Sequence, residues 1–143
     1  MVIDHICFAV KDIEESVVYW NNVFGYQRMT STVINTHQKV KVTFLRKEGS
    51  ITVKLIEPLP DNKSLLNFVA HNGGFHHLCF RCENINRTVT ELTSKGLRLL
   101  APPQPGEAFN NNNIAFLFAS QGINIELIET GEKASVIADE GSA

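Results

Sequence analysis

The 143 residues suit one domain with a real core, and an apolar share of 43% beside a charged share of 20% is that of an ordinary globular chain. A net charge of −2 leaves no basic footprint for nucleic acid or an anionic membrane. No apolar run reaches the roughly 18 residues of a transmembrane helix, the N-terminus lacks the basic-then-apolar pattern of a secretory leader, and three cysteines argue against a disulfide framework, so a cytoplasmic protein with free thiols is expected.

Val2 to Val10 is β-branched and apolar and reads as a buried strand. Asp12, with Glu15 three residues on, opens a helix whose Ile13, Val17, Trp20 and Phe24 share one face, and Gly25 is placed to end it. Tyr26 to Asn35, Val40 to Leu45 and Ile51 to Ile56 read as three more strands, the last stopped by Pro58. Residues 1–58 thus follow the order β-α-β-β-β. Residues 59–74 read as a linker helix, started at Pro60-Asp61-Asn62 and ended at Asn72-Gly73-Gly74. Residues 75–130 repeat the order of the first segment: Phe75 to Cys82 as a strand, an Asn84-capped helix, a short strand at Leu97 to Leu100, and a hairpin of Ile114 to Ala119 with Ile123 to Glu129. Pro102 to Gly106 reads as a turn-rich loop, and Asn110 to Asn113 as a solvated loop or a pocket rim. Residues 131–143 lose periodicity, so a flexible tail is expected after a single domain over 1–130.

His77-Leu78-Cys79-Phe80 repeats His5-Ile6-Cys7-Phe8 at a shift of 72 residues. Without a gap, the same shift carries Ile13 onto Ile85, Phe44 onto Phe116, and Leu55-Ile56-Glu57 onto Leu127-Ile128-Glu129. Two copies of one supersecondary unit are implied, too few for a solenoid and enough for one paired domain. The expected fold is α+β: two tandem β-α-β-β-β modules forming an open, mixed, eight-stranded barrel-like sheet with helices outside.

The repeat also matches polar residues on strands. His5 matches His77, and Lys54 matches Glu126. Residues i and i+2 share a strand face, so Cys7 is expected beside His5, Cys79 beside His77, and His76 on the opposite face. Glu126 lies in an otherwise apolar strand, where a carboxylate needs a partner or a ligand role, whereas Glu129 at the strand end is expected to be solvated. Two imidazoles and a carboxylate suit a divalent metal with open positions, able to polarise a carbonyl or enolate oxygen; zinc, manganese, cobalt, nickel and iron all remain open.

Asp4-His5-Ile6, Phe24-Gly25, the run from Leu65 to Gly74-Phe75-His76-His77, and Ile125-Glu126-Leu127 resemble the vicinal oxygen chelate superfamily (glyoxalase, bleomycin resistance, extradiol dioxygenase), in its methylmalonyl-CoA epimerase and glyoxalase I-like branch. The resemblance covers about residues 2–130 and implies two modules curled around a metal, a small-molecule substrate and a homodimer. It places His5, His77 and Glu126 at metal-ligand positions and implies isomerase, epimerase or lyase chemistry through a stabilised enolate. Glu126 and Lys54 are the candidate catalytic residues, Lys54 from its own chemistry: it can hold a substrate carboxylate or enolate, or act as a base. In that branch a Gln or Glu holds the fourth ligand position; here it is Lys54, whose ammonium has no lone pair. The branch also uses a Glu base on the third strand, where this chain has Val42. The alternative reading is a non-catalytic small-molecule binding protein in which a Lys54–Glu126 ion pair replaces the metal. In both readings Cys7, Phe44, Cys79 and Phe116 are expected to line the pocket.

Overall fold

The computed structural model describes residues 1–138. The first half comprises β1 (Val2–Ala9), α1 (Ile13–Phe24), β2 (Gln27–Arg28), β3 (Val33–Asn35), β4 (Val40–Arg46) and β5 (Thr52–Pro58). After α2 (Lys63–Ala70) come β6 (Gly74–Arg81), α3 (Ile85–Ser94), β7 (Arg98–Gly106), β8 (Asn112–Ala119) and β9 (Ile123–Ile128), with 3-10 turns at Glu107–Phe109 and Ser120–Gly122. Among the described residues, no helix is long and apolar enough to cross a membrane.

The helices begin where their caps dictate. Asp12 Oδ1 accepts from the Glu15 N–H at 2.9 Å, and Asn84 Oδ1 from the Arg87 N–H at 3.0 Å. Gly25 ends α1 in the left-handed region at φ 74°. The starts of α1 and α3 are also tied to strand ends. Glu57 Oε1 accepts from the Ile13 N–H at 2.9 Å, and Glu129 Oε1 from the Ile85 N–H at 2.8 Å. Glu129 is therefore a helix cap rather than a solvated strand end, placed where the helix dipole favours negative charge.

The mixed sheet runs β2-β4-β5-β1-β6-β9-β8-β7, with β3 also paired to β4. β1 lies parallel to β5 and β6 parallel to β9, and the halves meet where β1 and β6 run antiparallel. Ile6 pairs with Leu78 at that seam, so a pseudo-twofold axis passes between two positions that the repeat equates. The register repeats as well: Phe44 pairs with Lys54 and Phe116 with Glu126. The sheet is open, since its end strands β2 and β7 do not pair. Side-chain bonds draw β3 to the Glu107–Phe109 turn, with Asn35 Oδ1 accepting from the Ala108 N–H at 2.8 Å and Glu107 Oε2 from the Thr36 N–H at 3.0 Å. One core fills the space between the halves, around Phe44, Phe109 and Ile114, and two more lie under α1 and α3.

Three local expectations are corrected. Among the described residues there are nine strands rather than eight, because Thr30 interrupts the expected strand over 26–35: its hydroxyl accepts the Phe44 N–H at 3.0 Å, taking a ladder position with a side chain. Pro102, Pro103 and Pro105 lie within β7 instead of a loop; β7 ends the sheet, where a missing N–H is tolerated, and its register slips twice across that stretch. The tail is not free over residues 131–138. Ser135 O accepts from the Ser31 N–H at 3.0 Å, the Ile137 N–H donates to Met29 O at 2.9 Å, and Val136 bridges to Thr30. Residues 139–143, the rest of that expected tail, lie outside the described residues.

Candidate active site

The pseudo-twofold brings the four matched polar residues to one point. Glu126 Oε1 lies 3.0 Å from His5 Nε2, 3.2 Å from His77 Nε2 and 3.3 Å from Lys54 Nζ, and Glu126 Oε2 lies 3.2 Å from the same ammonium. All four residues are at most 2% exposed, so no bulk water shares the load. Burial alone would push the Glu126 carboxyl up, but Lys54, His77 and His5 outweigh it and hold the group well below the usual carboxylate range. Burial would pull Lys54 down, and Glu126 beside it holds the ammonium above the usual lysine range. The pair is therefore ionised across neutral pH.

Behind each imidazole stands the residue that precedes it. Asp4 Oδ2 lies 2.7 Å from His5 Nδ1, and His76 Nδ1 lies 2.7 Å from His77 Nδ1. The strand period puts Asp4 and His76 on the opposite face, and two bulges overturn it. β1 and β6 slip register between Ile3 and His5, and again opposite His76, so Asp4 and His76 are each the extra residue of a bulge. They are also 72 residues apart, so the bulges are themselves part of the repeat. Asp4 is further held by Lys133 Nζ at 2.9 Å, which reaches in from the C-terminal segment and lies over the rings of Phe44 and Phe109.

Proton positions follow from these contacts. Burial pushes the His77 ring down to about 3, so it is neutral and carries one proton. With that proton on Nε2 it donates to Glu126, and Nδ1 accepts from His76 Nδ1–H. His76, held below the usual histidine range by burial and by Lys54, then has its Nε2 lone pair free. His5 faces carboxylate oxygens with both nitrogens and donates to both only when both carry a proton.

A cavity of about 330 Å³ opens against this centre, with Lys54 and His77 in its wall beside Asn35, Gln38, His76 and Phe116. Phe116 thus lines the cavity as expected. Cys7, Phe44 and Cys79 do not: each is 0–1% exposed within the central core, behind the imidazole layer. Phe44 packs edge-on against His5 with centroids 5.3 Å apart. The thiols are protonated, since burial pushes both above the usual cysteine range. Asn110 to Asn113 are absent from the wall, which leaves the pocket-rim reading without support. His76, Asp4, Lys133, Asn35 and Gln38 are the members that sequence reasoning missed.

His5, His77 and Glu126 offer three ligand atoms, all within 4.8 Å of one another, which a divalent ion could bridge. The fourth group decides the fit. A divalent ion about 4 Å from the Lys54 ammonium is repelled by roughly 8 kcal/mol at an effective dielectric near 20. The ammonium already spans both Glu126 oxygens, and the two imidazoles complete the Oε1 contacts. The residues present therefore do not fit a metal while Lys54 keeps this position.

The sequence model of the Glyoxalase/Bleomycin resistance protein/Dioxygenase superfamily matches residues 4–116. Human mitochondrial methylmalonyl-CoA epimerase is 31% identical over 101 residues, 69% of this chain and 56% of its own length. This chain therefore spans little more than half of that relative. Bacillus subtilis YqjC, an uncharacterised protein, is 30% identical over 130 residues, 89% of this chain and 91% of its own length. The crystal structure of methylmalonyl-CoA epimerase from Mycobacterium tuberculosis matches with a TM-score of 0.77 at 26% identity, covering 89% of this chain and 86% of that one. With its duplicated half, open sheet and central polar cluster, this chain belongs to the Glyoxalase/Bleomycin resistance protein/Dioxygenase superfamily.

Proposed function

We propose that this chain is an epimerase- or isomerase-type enzyme for a small oxygenated acyl substrate, with the Lys54 ammonium in the place of a divalent metal. The observation that carries this reading is the convergence of Lys54, His5 and His77 on the single buried carboxylate of Glu126, with Lys54 and His77 in the cavity wall. The similarity to proteins named methylmalonyl-CoA epimerase supports the reaction class.

Lys54 spends two protons on Glu126 and has a third for an acyl oxygen. Its charge stabilises the enolate oxygen that develops as the neighbouring carbon loses a proton. Val42, at the position where related enzymes keep a base, is 1% exposed in the central core and holds no proton carrier. His76 Nε2 takes that role from the second half, and His37, in the cavity wall on the β3–β4 turn, is the carrier from the first. The burial of the site keeps water away from the enolate.

The test is loss of the hydrogen next to the acyl carbonyl in D2O, followed by proton NMR with methylmalonyl-CoA and lactoyl-CoA as probes. Exchange is expected to persist in EDTA and to slow by at least about 100-fold in His76→Asn. Exchange that EDTA abolishes and a divalent metal restores would overturn the role given to Lys54. Thioesters that bind without exchanging would leave the second reading, a metal-free binding protein, which the buried Val42 favours.

A further inference from the structure

The cavity holds two polar groups that the centre does not use. Asn35 is 1% exposed, and its Nδ2 has no hydrogen-bond partner. The orientation of its amide is fixed, because Oδ1 accepts the Ala108 N–H at 2.8 Å and a backbone N–H can only donate. The unpaired end is therefore a donor. Gln38 Oε1 is also buried without a partner and, as its amide stands in the structure, offers an acceptor. Both residues line the same cavity as Lys54 and His77.

The wall that carries them is built rather than loose. The Lys39 N–H closes a turn on Thr36 O at 3.3 Å, Asn62 Nδ2 donates to Gln38 O at 3.0 Å and to Lys39 O at 3.2 Å, and Glu107 holds the Thr36 N–H. Lys39 itself sits in the left-handed region at φ 57°. A turn pinned from three sides that still leaves a buried donor and a buried acceptor unpaired is poised for a ligand, since such groups are almost always satisfied in a complete structure.

We infer that Asn35 and Gln38 form a recognition subsite for a hydroxyl beside a carbonyl or carboxylate oxygen, so that the cavity takes a hydroxy-acyl compound. Asn35 Nδ2 donates to the ligand oxygen, and Gln38 Oε1 accepts from the ligand hydroxyl. An ionised malonyl group presents acceptors only and leaves Gln38 unpaired, so the subsite discriminates against it. This deepens the proposed function by naming the ligand class of the same cavity, and its test reads binding rather than turnover, so that either can fail alone.

The test compares hydroxymalonate with malonate, and lactate with propionate, on the full chain by calorimetry and by NMR of the side-chain amides. The hydroxylated member of each pair is expected to bind about tenfold more tightly, the net worth of one added hydrogen bond. The Asn35 and Gln38 amide signals are expected to shift on binding. Gln38→Met removes the preference within each pair. Asn35→Asp keeps the acceptor for Ala108, removes the donor and weakens both members of each pair by about tenfold or more. If thermal unfolding shows that Asn35→Asp does not fold, Gln38→Met, at a half-buried turn position, decides alone. Equal affinities within each pair, unmoved amide signals, or a preference that survives Gln38→Met would each overturn the subsite.

Discussion

Replacing Lys54 by methionine removes the charge and keeps the stem. In the parent, Nζ lies 3.2 and 3.3 Å from the two Glu126 oxygens, with the side chains 3% and 0% exposed. At an effective dielectric near 20 the attraction at that distance is roughly 5 kcal/mol. Part of it offsets the desolvation of the two ions, but the mutant keeps that cost in full, with Glu126 buried and its strongest partner gone. Breaking one side of such a pair costs about 3–5 kcal/mol. For a chain of this size that corresponds to a fall in Tm of roughly 10–15 °C. Urea and thermal unfolding at pH 7 measure it. Two comparisons make the result specific. The double variant Lys54→Met with Glu126→Gln is expected to recover most of the loss, because the stranded charge is gone. Lys41→Met, which breaks the half-exposed 3.4 Å pair with Glu57, is expected to cost under about 1 kcal/mol. A Lys54→Met chain within 1 kcal/mol of the parent, or a double variant no better than the single, would refute the central ion pair.

Lys54→Gln exchanges the ammonium for a neutral fourth donor beside His5, His77 and Glu126, and is expected to bind one cobalt or zinc ion where the parent binds none; metal analysis after dialysis reports it. Stability is expected to fall with pH, as read by urea midpoints between pH 8 and pH 4. Unfolded, the His77 ring takes a proton below about pH 6.5; folded, it does so only below about 3, so stability is lost as pH falls through that window, on the order of 5 kcal/mol over its full width. Asp4 and Glu126, both held below their ordinary values, add to the loss below about pH 4.5. A flat profile would count against a neutral buried His77. Gly73→Ala places a Cβ 2.4 Å from the Ala9 carbonyl oxygen at φ 59° and is expected to cost more than about 2 kcal/mol. Gly49→Ala, with nothing within 4 Å, is expected to cost about 1 kcal/mol, and similar losses for the two would contradict the packing of Gly73 on β1.

The polar centre was legible because duplication converts a sequence shift into a symmetry axis. Once His5 matches His77 and Lys54 matches Glu126, strand pairing leaves them one place to meet, and the equal registers of Phe44 with Lys54 and Phe116 with Glu126 bear that out. What surrounds the centre was illegible for identifiable reasons. Asp4 and His76 are bulge residues, and a bulge is where the period-2 rule fails. Lys133 lies in a segment without periodicity and docks through one long side chain. Asn35 and Gln38 show their character only as unpaired atoms in a closed wall, a property of packing. The matched Glu57 and Glu129 were visible in the repeat, but their capping role depends on which helix start each strand end meets.

Lys133 and Asp4 are far apart in sequence yet meet at the outer side of His5. Loop-closure entropy makes so long-range a contact costly to form early, so this second brace on His5 is expected late in folding. A nick or deletion that removes Lys133 would leave Asp4 without that counter-charge, weakening the support of His5 with every residue of the centre itself intact.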